Sequence, residues 1–390
     1  MKILFLDQSG KPGGAELCLI DIAKPYGDRA LVGLFADGLF RKLLQQQHIP
    51  VKVLTTQAIQ VRKQSNLLQS LASVGKLAPL LTQVVQIAKE YDIIYANTQK
   101  ALVIGALASF LARRPLVYHL HDILSSEHFS QTNLRIAVTL ANRFASLVIA
   151  NSQASQTAFI QRGGNAKITE LVYNGFDSQQ YKTSASEVKQ IRQSLGLENK
   201  FVVGHFSRLA PWKGQHILIK AISKCSPEVT VILVGDALFG EQDYVQQLHE
   251  QVREMGLENR VKFLGFREDI PQLMASCDLI AHTSISPEPF GRVIVEAMLC
   301  GRPVVAAKAG GAMELVEDGV NGFLVTPGES EELAEVINTC VAETEMIASM
   351  ADHARAIACE RFDMTTINQQ IAELLSQRFQ KPVHLPTEGN

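Results

Sequence analysis

Residues Ser286 to Val325 read SPEPFGRVIVEAMLCGRPVVAAKAGGAMELVEDGVNGFLV. Within them RPVVAA (302–307) is a short apolar run, the pattern of a strand buried in a parallel sheet. A helical pattern starts near Phe290 and leads into it, so the stretch is a loop, a helix and a strand in succession. Glu288 stands in a loop bracketed by prolines, and Glu296 stands inside the helix eight residues later. Eight residues of continuous helix would cover about 12 Å. Because Glu288 precedes the helix, the two carboxylates can serve opposite ends of one ligand. A carboxylate that accepts from two neighbouring hydroxyls suits a ribose. The helix N-terminus favours phosphate, and Gly291 lets the backbone approach it closely. Gly310-Gly311, before another helix, forms a second turn of this kind. A surface glutamate at each position is the plain alternative, since Glu is common on helices. The features taken together favour a ligand site.

Upstream, the apolar run FVVGHF (201–206) is followed by SRLAPWKG, which puts Arg208 and Lys213 five residues apart in a loop at a strand's C-terminal end. Two cations beside Gly214, which opens a helix, suit a diphosphate: Arg forks two oxygens and Lys supplies a compact charge. The alternative is a pair of solvated surface cations. Trp212 is expected to pack the loop that presents Lys213. VTVILVG (229–235), RVKFLG (260–265) and DLIAH (278–282) complete the strands of this half. The first half repeats the theme with ILFL (3–6), ALVGLF (30–35), VKVL (51–54), DIIYA (92–96), LVYHL (116–120) and SLVIA (146–150). Helical patterns lie between them, the longest over Asn66–Glu90. Strands alternating with helices predict an α/β fold of two Rossmann-like domains facing each other, with a ligand cleft between strand C-terminal ends. The expected division is 1–178, a polar Ser/Gln/Glu-rich linker at 179–199, 200–360, a C-terminal helix at 361–380 packing back on the first domain, and a flexible tail at 381–390.

Length and composition agree. A chain of 390 residues with 46% hydrophobic and 19% charged side chains supports two or three domains and excludes disorder or a disulfide miniprotein. The formal charge of −2 gives no reason to expect nucleic acid. Residues 1–170, however, carry 18 Lys+Arg against 10 Asp+Glu, while the rest carry 19 against 29. The first half therefore stands at +8 and the second at −10, so the two domains are expected to meet different partners. Six cysteines without C-x-x-C spacing are expected to be buried thiols in a reducing compartment. Only Ile3 to Leu6 are apolar before Asp7, so no signal peptide is read, and the longest apolar stretch, Ala101–Ala112, is too short to span a membrane.

After the first strand, GKPGGAE (10–16) replaces G-x-G-x-x-G. It reads either as an anion-binding turn or as a flexible turn before a helix cap. GGAE, the HD of HLHD (119–122), NS (151–152), YNGFD (173–177), SRL…WKG, the E-x7-E segment and GRPVVA…GG…E then follow in one order. In that order the chain resembles glycosyltransferase family 4, nucleotide-sugar-dependent enzymes of the GT-B fold, over nearly its whole length. The E-x7-E block is the specific part.

The resemblance implies a retaining glycosyltransferase of hexosyltransferase type, moving a sugar to a glycan, lipid-linked or small-molecule acceptor in cell-surface polysaccharide or glycolipid synthesis. It implies an acceptor-binding first domain and a donor-binding second one. Arg208 and Lys213 would hold the donor diphosphate and offset charge on the departing nucleotide. Glu296 would bind the ribose hydroxyls, and Glu288 with the Phe290 and Gly291 backbone would contact the transferred sugar. Gly14, with Gly13 beside it, would lie where the first domain meets donor and acceptor. His121 would stand near the reacting sugar, and His119 would share its side of an extended strand, which the residues alone also allow as a structural pair. The implied catalytic set is His121, Glu288, Arg208 and Lys213. The family's PS-x-x-EGFG is TSISPEPFG here, and Pro289 in place of Gly bears on acceptor and sugar preference, not on fold.

No residue is an obvious covalent nucleophile, so a front-face path stabilised by position and charge is expected. There is no Asp-x-Asp triplet and no His/Cys zinc spacing, so no metal is expected, nor any cofactor beyond the nucleotide-diphosphate sugar itself. Base contacts are expected near Arg260–Glu268. Arg62-Lys63 and Arg113-Arg114 are solvated charges or the mark of an anionic membrane surface. The expected partners are thus a nucleotide-sugar donor, a glycan or lipid-linked acceptor and such a surface, for a cytoplasmic protein peripheral to the inner membrane face. The alternatives are a nucleotide-sugar epimerase on the same plan or a non-catalytic sugar-nucleotide-binding protein. Arg208, Lys213, Glu288 and Glu296 all being present argues against a decayed copy.

Overall fold

The computed structural model describes residues 1–55, 67–126, 129–237, 240–383 and 385. Arg62 and Lys63 lie outside the described residues. The chain forms two compact units, one made of Met1–Gly175 with Met364–Asn390 and the other of Phe176–Asp363.

The first unit is a seven-stranded sheet: β1 (Ile3–Asp7), β2 (Ala30–Leu34), β3 (Val51–Val53), β4 (Ile93–Ala96), β5 (Leu116–Leu120), β6 (Ala145–Ala150) and β7 (Thr169–Leu171). Their order is β3-β2-β1-β4-β5-β6-β7, every pair parallel. The first six coincide with the six apolar runs. The edge strand β7 was not expected, because three residues, one of them a glutamate, give no strand signal. Alternate side chains feed two cores: Leu4, Leu6 and Ile94 enter one, and Ile3, Phe5 and Tyr95 the other. Helices cover both, which is why these strands read as continuous apolar runs.

The helix Met364–Phe379 belongs to this unit. Ile367, Ile371 and Leu375, spaced by four, pack into the core of Ile3 and Phe5, and Asn368 Nδ2 donates to Asp21 O at 3.1 Å. Residues just beyond, read as flexible tail, are held: Lys381 pairs with Asp92 at 2.5 Å, and Val383 and Leu385 pack on the same core.

The second unit has six parallel strands: β8 (Phe201–Phe206), β9 (Val229–Val234), β10 (Val261–Gly265), β11 (Leu279–His282), β12 (Val304–Ala307) and β13 (Phe323–Val325). Their order is β10-β9-β8-β11-β12-β13. Both sheets thus reverse strand order once, beside β1 and beside β8, and the C-terminal ends of the strands flanking each reversal form a natural ligand crevice. The polar segment 179–199 carries a helix, Ala185–Ser194, and belongs to this second unit. A capping box of Ser184 and Glu187 starts the helix, and Arg192 ties it to Asp278 at 3.1 Å. Five of the six cysteines are buried. Cys359 is exposed, contrary to expectation, because it falls on the solvent side of the helix Thr344–Arg361.

Candidate active site

In the second unit the loop after β8 and the loop after β11 meet at the reversal. Gly214 adopts φ +73°, and a Cβ there would stand 2.0 Å from Thr283 O. Only glycine lets the two loops touch. This contact delivers Lys213 to Glu288, with which it forms an ion pair. Glu288 Oε1 also accepts from Ser284 Oγ at 2.8 Å and faces His282 Nε2 at 3.4 Å. Burial alone would raise the Glu288 pKa, but the Lys213 ammonium and the His282 imidazole outweigh it and hold the carboxyl well below the usual range. Behind the pair, His205 Nε2 reaches Thr283 Oγ1 at 3.1 Å, and burial pushes the His205 pKa down to about 3, so the ring is neutral.

Arg208 and Lys213 share one aromatic partner, Trp212. The Arg208 guanidinium carbon lies 5.5 Å and the Lys213 ammonium 4.1 Å from the centre of the Trp212 ring. Cation–π attraction to a single indole offsets part of the repulsion between two like charges. Glu241, at the start of the helix Gln242–Glu254, approaches Arg208 at 3.6 Å.

The loop carrying Glu288 is braced by Gly310-Gly311. Gly311 N donates to Glu288 O at 2.8 Å, and a Cβ at Gly310, where φ is +60°, would fall 2.3 Å from that oxygen. Phe290 is buried against Phe176 and Phe362. Gly291, at φ +95°, opens the helix Arg292–Leu299. One turn along it, Glu296 accepts from Arg292 Nε at 3.3 Å, and burial raises the Glu296 pKa against the pull of Arg292. Arg260, expected near a base, stands at the N-terminal start of β10 and donates to Val229 O, Cys225 O and Ser226 O. Just beyond the C-terminal end of β10 stands Phe266, 59% exposed.

In the first unit, Asp7 at the end of β1 is fully buried and accepts from Asn97 Nδ2, beyond the end of β4, at 2.8 Å. Asn97 Oδ1 accepts from His121 Nε2 at 2.9 Å. His119 is buried, its Nδ1 paired with Tyr95 OH at 2.8 Å, and its ring lies 3.9 Å from that of His121. Burial and His121 keep His119 neutral. The fold thus separates the two histidines into a buried support and a half-buried partner of Asn97. Gly13 caps the helix Gly14–Ala23, where a Cβ would stand 2.8 Å from the Glu16 carboxylate. Cys18, His119 and His121 bring ligand-type atoms within 4.8 Å of one another, a cluster that no spacing announced. Cys18 Sγ donates to Asn174 Oδ1 at 3.2 Å.

Burial and the Asp7 charge raise the Glu16 pKa to about 8, and burial raises Asp7 to about 6. Both shifts favour the neutral acid in the folded protein. The Glu16 contribution to stability is therefore full below its ordinary 4.5 and is lost as pH rises through about 8. The thermal midpoint is expected to fall across that window, and Glu16→Gln is expected to flatten the fall. An identical slope in wild type and variant would contradict the assignment.

Comparison with known proteins places both halves. Residues 12–180 match the family Glycosyltransferase Family 4, and residues 187–357 match Glycosyl transferases group 1. The chain is similar to Anabaena HepE, solved in complex with UDP-glucose, at 73% identity and TM-score 0.90 over 97% of this chain and 100% of that one. It is 28% identical over 275 residues to spore coat protein SA of Bacillus subtilis, covering 67% of this chain and 71% of that protein. It is also 28% identical over 290 residues to a GDP-mannose-dependent phosphatidylinositol monomannoside mannosyltransferase of Mycolicibacterium smegmatis, covering 71% and 74% respectively.

Proposed function

The chain belongs to glycosyltransferase family 4, with the GT-B fold, and on that premise we propose that it transfers glucose from UDP-glucose, with retention, to a glycan or lipid-linked acceptor. The observation that carries this reading is the pairing of Arg208 and Lys213 over Trp212 at the strand reversal of the second unit. Two cations fixed there match a diphosphate, and the HepE relative was solved with UDP-glucose. Family membership does not favour the epimerase or the non-catalytic alternative.

Arg208 and Lys213 neutralise the β-phosphate as the glycosidic C–O bond breaks and its electron pair leaves with UDP. The acceptor oxygen bonds to the anomeric carbon on the same face, and its proton passes to the departing phosphate. Glu296 accepts from the ribose hydroxyls. Glu288, with the Phe290 and Gly291 backbone, orients the sugar. Within the first unit, His121, Gly14 and Gly13 are the candidate ligand residues, and His119 supports His121. The uracil is assigned to the loop after β10, around Phe266. The two cations take the place of a divalent metal.

We assign the enzyme to cell-surface polysaccharide or glycolipid synthesis, in the cytoplasm and peripheral to the inner membrane face. No helix among the described residues is long and apolar enough to cross a membrane. Calorimetry with UDP-glucose, ADP-glucose and GDP-mannose, followed by turnover in excess EDTA, tests the reading. UDP-glucose is expected to bind at least about tenfold tighter than either rival, a difference of about 1.4 kcal/mol, and turnover is expected to persist. Preference for a GDP-sugar, or a loss that magnesium reverses, would overturn it.

A further inference from the structure

Two consecutive helices of the first unit, Gln99–Ala112 and Gln131–Phe144, carry an exposed apolar strip that the donor chemistry does not use. On the first helix Leu107, Phe110 and Leu111 are 42%, 70% and 56% exposed. Their spacing of three and four puts them on one face. On the second helix Ile136 is 44% exposed and begins a stripe continued by the half-buried Leu140 and Phe144. Phe110 meets Phe144 edge to face with ring centres 6.3 Å apart, so the strip continues from one helix to the next. Soluble surfaces seldom leave an aromatic this open beside two leucines.

The charges carried by these two helices have one sign. Residues 99–114 contain Lys100, Arg113 and Arg114 and no acid, and residues 131–144 contain Arg135 and Arg143 and again no acid. Arg113, Arg135 and Arg143 are exposed, whereas Arg114 turns back to donate to Lys89 O at 2.7 Å. Phenylalanine and leucine edged by arginine suit the boundary between lipid headgroups and acyl chains, where the rings enter apolar material and guanidinium groups meet phosphates. A second copy of the chain would bring the same arginines against each other, so charge complementarity selects an anionic lipid surface over self-association.

We propose that this face docks the enzyme on a membrane surface rich in anionic lipid, through Phe110 and Leu111 with Arg113, Arg135 and Arg143. The inference rests on the peripheral position proposed above and adds the surface that makes the contact. It places that surface on these two helices and needs no contribution from Arg62-Lys63.

Co-sedimentation with phosphatidylcholine vesicles, with and without one third phosphatidylglycerol, at low and high salt, tests it. The wild type is expected to bind only the anionic vesicles and to be released by salt. Phe110→Ser with Leu111→Ser, and separately Arg113→Ala, Arg135→Ala and Arg143→Ala together, should each weaken binding by about tenfold or more. An unchanged thermal midpoint and unchanged hydrogen-exchange protection of the first unit's strands confirm that both variants fold. A control, Lys42→Ala with Lys52→Ala, removes exposed cations near edge strand β3 and should bind as wild type does. Wild type that ignores anionic vesicles overturns the peripheral position and this inference together. Wild type that binds while the patch variants bind equally, or while the control loses as much, overturns the inference alone. A wild-type dimer that the apolar variant dissociates, without vesicle binding, overturns it in favour of self-association.

Discussion

Lys213→Ala is expected to lower kcat for sugar transfer by about a thousandfold, the upper range for removing one preorganised charge stabiliser. The loss has two sources that can be separated. The first is chemical: in the proposed role, the ammonium offsets charge on the departing phosphate, and alanine removes that charge. The second is structural: Lys213 is the ion-pair partner of Glu288, which is only 7% exposed. Its removal leaves a buried carboxylate facing Ser284 and His282 alone, and breaking such a pair costs about 3–5 kcal/mol when burial is complete. Glu288 should then take up a proton more readily, so the variant should be least stable at high pH and should recover as pH falls. Lys213→Ala combined with Glu288→Gln removes the orphaned charge and should restore the thermal midpoint without restoring turnover. If the double variant regains activity as well, Lys213 is a structural partner of Glu288 and not a diphosphate ligand.

Glu296→Gln is expected to weaken UDP binding by about 10- to 100-fold, as hydrogen bonds to a charged acceptor are worth about 1.5–3 kcal/mol. The loss should fall on the ribose. A carboxylate accepts from both hydroxyls at once, whereas a carboxamide offers one acceptor and a donor pair. The ratio of UDP to 2′-deoxy-UDP affinity should therefore collapse toward one. Arg292, which now donates to Glu296 at 3.3 Å, still has the Gln oxygen as acceptor, so the helix should hold. Calorimetry on both nucleotides, with thermal unfolding as the fold control, reads the effect. An unchanged ratio places the ribose elsewhere.

Much of this protein was legible in the residue string because the decisive signals are local. Eleven apolar runs became strands where their burial patterns put them, since a strand covered on both faces must be apolar at consecutive positions. The two strands not read from the sequence, β7 and β13, are edge strands of three residues. Gly214 and Gly291 were flagged as glycines before helices, and both adopt the positive φ that such turns require. Arg208 and Lys213 were placed in one loop by their spacing alone.

What the string did not hold is which loops become neighbours. Glu288 was read as one end of a ligand, yet its partners are Lys213, delivered from the loop after β8, and His282 and Ser284 at the end of β11. Arg208 faces Glu241, which arrives after β9, and Asp7 meets Asn97 across 90 residues. The C-terminal helix rejoins the first unit after the whole second unit has been built. Composition and periodicity determined the two parallel sheets and the chemistry each loop carries, because propensity and burial act on residues near in sequence. The assembly of those loops into paired charges was decided only by strand order, because side-by-side pairing brings together the ends of strands far apart in the chain.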